Sequence, residues 1–233
     1  MLKCAIIQPS FLPWRGTFHI INSVDKYIVF DDVQYDKHGW RNRNRIKTHI
    51  GVQWITLPVL TKGLSTQMIK DAKIDNKKNW QKKMIKTITS SYKDAPFFYL
   101  ADVIFSILSR GYNYLLDIDM DLLVAINKLL RIDVDILFSS DLNIEYDDRI
   151  SRIVSLCKAV GANHYISGPS ARDYIKDNSI FENNGIVLEY QTYDYPPYNQ
   201  IYGEFIPDLS IIDLLFNVGI EHAGDNIWNI RKK

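Results

Sequence analysis

The most constraining feature of this sequence is the pattern of residues 4–32. A short apolar run at 4–7 is followed by a loop with two prolines, a segment with helical spacing that reaches about Val24, and a second apolar run at 27–30. This order of strand, loop, helix and strand predicts a βαβ unit of a parallel sheet. Because open α/β sheets bind ligands beyond the carboxyl ends of their strands, the loop at 8–16 is a candidate site.

Three further apolar runs, at 134–138, 164–166 and 186–190, alternate with helical patterns. We therefore predict an α/β fold: one Rossmann-like three-layer domain over residues 1–233 with a five-stranded, mainly parallel sheet. Residues 46–131 are predicted to be an insertion that contains a β-hairpin and several helices, the clearest at 80–92. The pattern also predicts a short strand at 68–74, a final helix at 211–217 and a frayed polar tail from Glu221.

Composition and charge exclude some classes of function. The formal net charge is +1, so no overall field attracts nucleic acid or an anionic membrane. No apolar run could span a bilayer and the amino terminus lacks a signal-peptide pattern, so we expect a cytoplasmic protein without nucleic-acid partners or membrane insertion. Cys4 and Cys157 lie in apolar patterns typical of buried thiols. The oligomeric state stays open.

The first candidate site is the loop after the first strand, with Gln8, Trp14 and Gly16. Two prolines stiffen this loop, and Gly16 allows a ligand to approach the backbone where the next helix begins. Free amides and the helix dipole favour phosphate at such a position. The alternative is a tight turn without a ligand, because proline removes amides that a phosphate cradle would use.

The second candidate site is the loop after the fourth sheet strand, with Gly168, Ser170 and Arg172. A hydroxyl group, helix amides and a guanidinium suit a phosphate chain. The two loops should lie at the same edge of the sheet, because both follow parallel strands. The sequence has no Walker loop, dinucleotide-binding fingerprint, nucleophile elbow or zinc-ligand spacing that would indicate a different site.

The third candidate is the basic segment at 40–45, which contains three arginines in five residues. In an extended chain Arg41, Arg43 and Arg45 share one face, and Asn42 and Asn44 share the other. Guanidiniums on one face suit a diphosphate or a carboxylate, with the asparagines orienting a sugar. The alternative is a solvated edge strand whose arginines pair with nearby aspartates.

Asp31 and Asp32 end the second predicted strand. They are candidate ligands of Mg²⁺, ribose-binding groups or general bases, and they are equally candidate counter-charges for the arginines. A further polar set, Tyr198 and Gln200 with Asp208, Ser210, Asp213 and Asn217, lies on the last helix and the loop before it. Tyr198 is a candidate for stacking on a ligand, whereas Asp213 and Asn217 are slightly favoured as a buried hydrogen-bond network.

Five segments together resemble the WbqC-like family over nearly the whole chain. They are Gln8-Pro-x-x-Leu-Pro-Trp-x-Gly16, Asp31-Asp-Val-Gln-Tyr35, Trp40-x-Asn-Arg-Asn-Arg-Ile46, Tyr165-Ile-Ser-Gly-Pro-Ser170 and Leu209-Ser-Ile-Ile-Asp-Leu-Leu-Phe-Asn217. The resemblance implies a cytosolic bacterial protein of O-antigen or other surface-polysaccharide gene clusters. The implied substrate is a nucleotide-linked amino sugar, and the implied reaction is acyl transfer, glycyl for example, to the sugar amine.

From this resemblance and the candidate sites we expect a transferase or ATP-dependent amide-forming enzyme that uses ATP and Mg²⁺. Arg43 and Arg45 would bind phosphates, Asp31 or Asp32 would hold Mg²⁺ or accept the amine proton, and Gln8 would orient the sugar. A weaker similarity to HIGH-type nucleotidyltransferases lacks their two histidines, because Trp14 and Thr17 stand at the corresponding places. The alternatives are a nucleotidyltransferase and a non-catalytic nucleotide-sugar-binding subunit.

Overall fold

A five-stranded parallel sheet lies at the centre of the structure. The computed structural model describes residues 1–228. Its strands are β1 (Lys3–Ile7), β2 (Lys26–Val29), β3 (Arg43–Thr48), β4 (Gly51–Thr56), β5 (Asp135–Phe138), β6 (His164–Ser167) and β7 (Val187–Tyr190). The central sheet has the order β5-β2-β1-β6-β7, and β3 and β4 form a separate antiparallel hairpin. The predicted fold class and the parallel sheet are confirmed.

Helices cover both faces of this sheet. They are α1 (Arg15–Asn22), α2 (Trp80–Tyr92), α3 (Ala101–Leu108), α4 (Leu115–Leu129), α5 (Arg149–Ala159), α6 (Ser179–Asn183), α7 (Ile211–Val218) and α8 (Ile220–Ile227). The buried side chains of α5 and α6 join one hydrophobic cluster, and those of the other helices join a second cluster on the opposite face. The three predicted layers are therefore present.

The pleat of the central strands divides their side chains between these two clusters. On β1, Cys4 and Ile6 belong to the cluster that contains α5, whereas Ala5 belongs to the other. On β2, Ile28 and Tyr27 are divided in the same way. Alternation with apolar residues on both faces is what a doubly covered parallel strand requires, and it explains the continuous apolar runs of the sequence.

Two local predictions are wrong. Residues 68–74 contain a short 3-10 turn, Ile69–Asp71, flanked by isolated bridges from Met68 and Ile74, and they do not form a strand. The chain after Glu221 is helical as far as Ile227, because the side chains of Ala223 and Ile227 are fully buried and hold α8 on the core. The part of the tail prediction at 229–233 lies outside the described residues.

The strand order creates a crevice at one edge of the sheet. From β1 the chain continues to β2 and β5 on one side, and it then crosses to β6 and β7 on the other side. Such a reversal is a topological switch point, where the loops that follow the two central strands diverge. The segment that leads into β3 also lies at this edge, where the amide of Phe11 donates to the carbonyl oxygens of Trp40 and Arg41.

Candidate functional site

A cleft of about 600 Å³ lies at the switch point between β1 and β6. Residues from the carboxyl ends of both strands line it, including Gln8 after β1 and Ser167 and Gly168 at the end of β6. The other walls come from the segment around β3, the start of α5 and the loop after β7. A cleft of this volume, formed by several segments at a switch point, is the expected place for a ligand of nucleotide size.

The loop after β1 contributes Gln8 and Trp14 to the cleft, as predicted, but Gly16 does not line it. Gly16 lies under the indole ring of Trp14, where a Cβ atom would be 2.3 Å from Cζ2. The Trp14 ring also packs edge-on against Tyr193, with 4.7 Å between the ring centroids. The glycine therefore accommodates a side chain of the same loop.

The loop after β6 contributes Gly168 and Ser170 to the cleft. A five-residue 3-10 turn, Pro169–Asp173, follows β6 in place of the predicted helix. Arg172 is exposed, its guanidinium carbon lies 4.2 Å from the centroid of the Tyr190 ring, and it does not line the cleft. This turn can therefore present the Ser170 hydroxyl group and backbone groups to a ligand, whereas Arg172 packs on Tyr190.

The basic segment is divided between two environments. Arg41 and Arg45 line the cleft, and Arg45 donates to the carbonyl oxygen of Asp208 at 3.0 Å. Arg43 does not line the cleft, because its guanidinium donates to the carbonyl oxygens of His38 and Gly39. Arg41 comes before β3 begins, so strand alternation does not determine where its side chain lies.

Asn42 and Asn44 are buried residues whose side chains form hydrogen bonds with backbone carbonyl groups. The side-chain amide of Asn42 donates to the carbonyl oxygen of Leu57 at 2.7 Å. That of Asn44 donates to the carbonyl oxygens of Phe11 and Leu12, at 3.2 and 2.7 Å. Asn44 reaches the edge of the cleft, whereas Asn42 does not, so these side chains join the hairpin to the first loop rather than presenting free amides to a sugar.

Arg149, at the start of α5, is a cleft residue that sequence reasoning missed. Its guanidinium carbon lies 3.6 Å from the centroid of the Tyr174 ring, which also lines the cleft. Asp148 caps α5 by accepting hydrogen bonds from the backbone amides of Ile150 and Ser151, and it so orients the first turn of the helix. The sequence feature that could have identified Arg149 is its position, because it lies at the start of the helix that follows the loop after a predicted strand.

The structure does not bring Asp31 and Asp32 to the cleft. Asp31 is 2% exposed and accepts hydrogen bonds from the amide and hydroxyl of Ser140 and from the hydroxyl of Ser139. Asp32 pairs with Arg152 at 2.6 Å, and not with the arginines at 41–45. No group of three or more His, Cys, Asp or Glu side chains that could hold a metal ion occurs among residues 1–228.

Tyr198 belongs to a buried network outside the cleft. Its hydroxyl group donates to Asp213 at 2.7 Å, as do the hydroxyl group of Tyr92 and the amide of Gln200. Burial raises the pKa of Asp213, and these three donors oppose the rise. Asn217 donates to the carbonyl oxygen of Asp213, so the favoured network interpretation agrees with the structure and the stacking role of Tyr198 does not.

A buried acidic side chain lies near Arg41. Asp119 on α4 is 1% exposed, and neither of its carboxylate oxygens has a hydrogen-bond partner among the described residues. Burial raises the pKa of Asp119 well above its ordinary range, and nearby Arg41 opposes that rise. Burial likewise lowers the pKa of Arg41, and Asp119 opposes it. The inserted helices therefore place a buried ionisable group near Arg41, behind the cleft wall.

The charged side chains of the cleft favour an anionic ligand. Among the described residues that line it, the cations are Arg41, Arg45 and Arg149, and the single carboxylate is that of Asp208. Arg41 and Arg45 belong to the basic segment and Arg149 to the start of α5, so the two segments can contact different oxygens of an extended anion. The aromatic side chains Trp14, Trp40 and Tyr174 add flat surfaces for a base or a sugar ring.

The fold and the cleft define an α/β protein with an arginine-lined cleft at its topological switch point. The model of the WbqC-like protein family matches residues 8–224, and this chain belongs to that family. The chain is 42% identical over 224 residues to the uncharacterized protein Rv1507c of Mycobacterium tuberculosis (strain ATCC 25618 / H37Rv), covering 95% of this chain and 96% of the relative. No solved structure gives a significant match. In the described part of the chain, no helix has the length and apolarity to cross a membrane.

Proposed function

We propose that this protein is a cytoplasmic enzyme that acylates the amine of a nucleotide-linked amino sugar used for O-antigen or another surface polysaccharide. The observation that carries the proposal is the cleft at the switch point with Arg41, Arg45 and Arg149 along its walls. Arginines bind the oxygens of a diphosphate through paired hydrogen bonds, and open α/β sheets bind nucleotides at this edge. Family membership supports the proposal.

Asp208 is the candidate general base in this proposal. Its side chain is exposed, and its backbone carbonyl oxygen accepts a hydrogen bond from Arg45. The sugar amine attacks an acyl carbon that ATP has activated, glycyl for example. The C–N bond forms as the bond from the acyl carbon to the phosphate oxygen of the activated acyl group breaks, phosphate or AMP leaves with that electron pair, and Asp208 accepts the amine proton. Asp31 and Asp32 have no part in this step, because Ser139, Ser140 and Arg152 occupy their oxygens.

Thermal unfolding in the presence of ligands tests the proposal. UDP-glucosamine, a dTDP-amino sugar and ATP are compared, each with and without Mg²⁺. A ligand that binds only the folded state raises the midpoint with the logarithm of its concentration over Kd. A shift with a sugar nucleotide supports the proposal, and turnover of ATP with glycine is then assayed. A shift with ATP alone favours a nucleotidyltransferase, and no shift at all contradicts the proposal.

A matched pair of arginines tests the location of the ligand. Arg149 and Arg172 are both exposed arginines packed on tyrosine rings, but only Arg149 lines the cleft. We expect Arg149→Ala to weaken sugar-nucleotide binding by about tenfold or more, as for the loss of a charge-assisted hydrogen bond. Arg172→Ala should leave Kd within about twofold. Equal losses in the two variants, measured by calorimetric titration, would place the phosphate site elsewhere.

A further inference from the structure

Two exposed tryptophans form an aromatic surface where the cleft opens. Trp40 is 41% exposed and lines the cleft, and Trp54 on β4 is 42% exposed. Their ring centroids are 5.0 Å apart, and the rings are tilted by 41°. Large apolar side chains exposed side by side next to a polar cleft mark a binding surface more often than isolated ones do.

Both tryptophans are held in place by arginines and by the backbone. The guanidinium carbon of Arg43 lies 4.5 Å from the centroid of Trp54, and that of Arg45 lies 5.4 Å from the centroid of Trp40. The carbonyl oxygen of Trp40 accepts a hydrogen bond from the amide of Phe11, whose side chain is fully buried. The rings are therefore presented before any ligand binds, which lowers the entropic cost of stacking on them.

Arg45 connects this surface to the rest of the cleft. It contacts Trp40 through its guanidinium and the carbonyl oxygen of Asp208 through a hydrogen bond of 3.0 Å. A ligand whose phosphates contact Arg45 therefore has an aromatic face on one side and a carboxylate residue nearby. The wall formed by Arg149 and Tyr174 is a separate surface that can contact the nucleotide part of the same ligand.

We propose that Trp40, backed by Trp54, is the stacking surface for the sugar ring of a nucleotide-diphospho-sugar, so that the reacting amine lies beside Asp208. This inference rests on the proposed function and specifies which part of the substrate each wall recognises. A pyranose ring has an apolar C–H face that packs on an indole ring, and its hydroxyl groups at the edge remain free for polar partners. The open, solvent-accessible position of Trp40 suits a ring of this kind.

The experiment compares a sugar nucleotide with the nucleotide that lacks the sugar. Calorimetric titration with UDP-glucosamine and UDP, and with a dTDP-amino sugar and dTDP, gives four Kd values for each variant. We expect Trp40→Ala to raise Kd for each sugar nucleotide by about tenfold, as for loss of an aromatic contact. The Kd for UDP or dTDP, which lack the sugar, should stay within about twofold. Trp40→Phe should retain part of the preference. Tyr99→Ala, at a side chain 63% exposed outside the cleft, is the control.

The outcomes separate this inference from the proposed function. If Trp40→Ala weakens both members of a pair equally, Trp40 contacts the nucleotide and the inference is overturned while the proposed function stands. An unchanged Kd for all four ligands likewise overturns the inference. If the wild-type protein binds none of them, the proposed function fails and the inference fails with it.

Discussion

A Cβ atom added at Gly16 would lie 2.3 Å from Cζ2 and 2.5 Å from Cε2 of Trp14. No relaxed pair of carbon atoms approaches so closely, so the indole ring would have to leave its position against Tyr193. Since Trp14 lines the cleft, the single glycine controls the shape of one wall. Residues 8–16 thus depend on glycine for internal packing at the place where the sequence predicted close approach of a ligand.

Replacement of Gly16 by alanine should therefore lower both stability and ligand affinity. We expect Gly16→Ala to reduce the free energy of unfolding by about 2 kcal/mol, through overpacking, and to weaken sugar-nucleotide binding. Urea denaturation and calorimetric titration measure the two effects. Gly111→Ala is the control, because nothing lies within 4 Å of a Cβ atom there. If both variants have the same stability, the Trp14 ring is not confined by Gly16.

At the scale of elements, α7 anchors the long loop that follows β7. Asp213 in the first turn of α7 is fully buried and accepts hydrogen bonds from Tyr92, Tyr198 and Gln200. Two of these donors belong to the loop that also supplies Asp208 to the cleft. A carboxylate buried with three donors is stable only while all of them stay in place, so the network couples the position of the loop to the helix.

Removal of the Asp213 carboxylate should be severe, because it takes away the shared acceptor of three donors, of which the Tyr92 hydroxyl group is fully buried. We expect Asp213→Ala to cost about 3 kcal/mol or more of unfolding free energy, and Tyr198→Phe to cost about 1 kcal/mol. Urea denaturation followed by circular dichroism gives both values. Tyr202→Phe removes a hydroxyl group from the same loop outside the network and should be neutral. A loss for Asp213→Ala no larger than that for Tyr198→Phe would show that the network contributes little.

At the scale of the whole molecule, the reactivity of two cysteines shows whether the helical layer stays packed on the sheet. Cys4 on β1 and Cys157 on α5 are free and fully buried, and their sulfur atoms are 3.5 Å apart between sheet and helix. The sulfur contact and burial raise the pKa of the Cys157 thiol. A buried, protonated thiol is a poor nucleophile, so reaction with a reagent requires the helical layer to separate from the sheet.

Thiol labelling should therefore follow global unfolding. We expect the native protein to react with Ellman's reagent only slowly and the protein in guanidinium chloride to react at both cysteines. The labelling rate should rise with denaturant in parallel with the unfolded fraction measured by circular dichroism. Rapid labelling of the native protein would mean that α5 opens locally. Cys157→Ala, which leaves one thiol, identifies the reacting residue.

The sheet could be predicted from the sequence because each central strand is covered on both faces and therefore appears as a continuous apolar run. The predicted strand ends then located Gln8, Gly168 and Ser170 near the cleft, because the backbone alone places residues that come directly after a strand. Arg43 and Arg172 could not be excluded from the cleft in the same way. Each is a long side chain whose direction depends on which carbonyl groups or aromatic rings lie nearby, and those neighbours come from distant parts of the chain.

The sequence by itself determined the class of fold, the two loops at the switch point and membership of the WbqC-like family, because apolar periodicity and local motifs are properties of contiguous residues. Only the tertiary structure decided which charges face the cleft. It pairs Asp31 with serines and Asp32 with Arg152, it brings Arg149 and Asp208 to the site, and it turns Tyr198 into the core. The physical reason is that the interactions of a charged side chain depend on the groups that folding brings within a few ångströms of it. These groups are distant in the sequence, so the sequence pattern does not identify them.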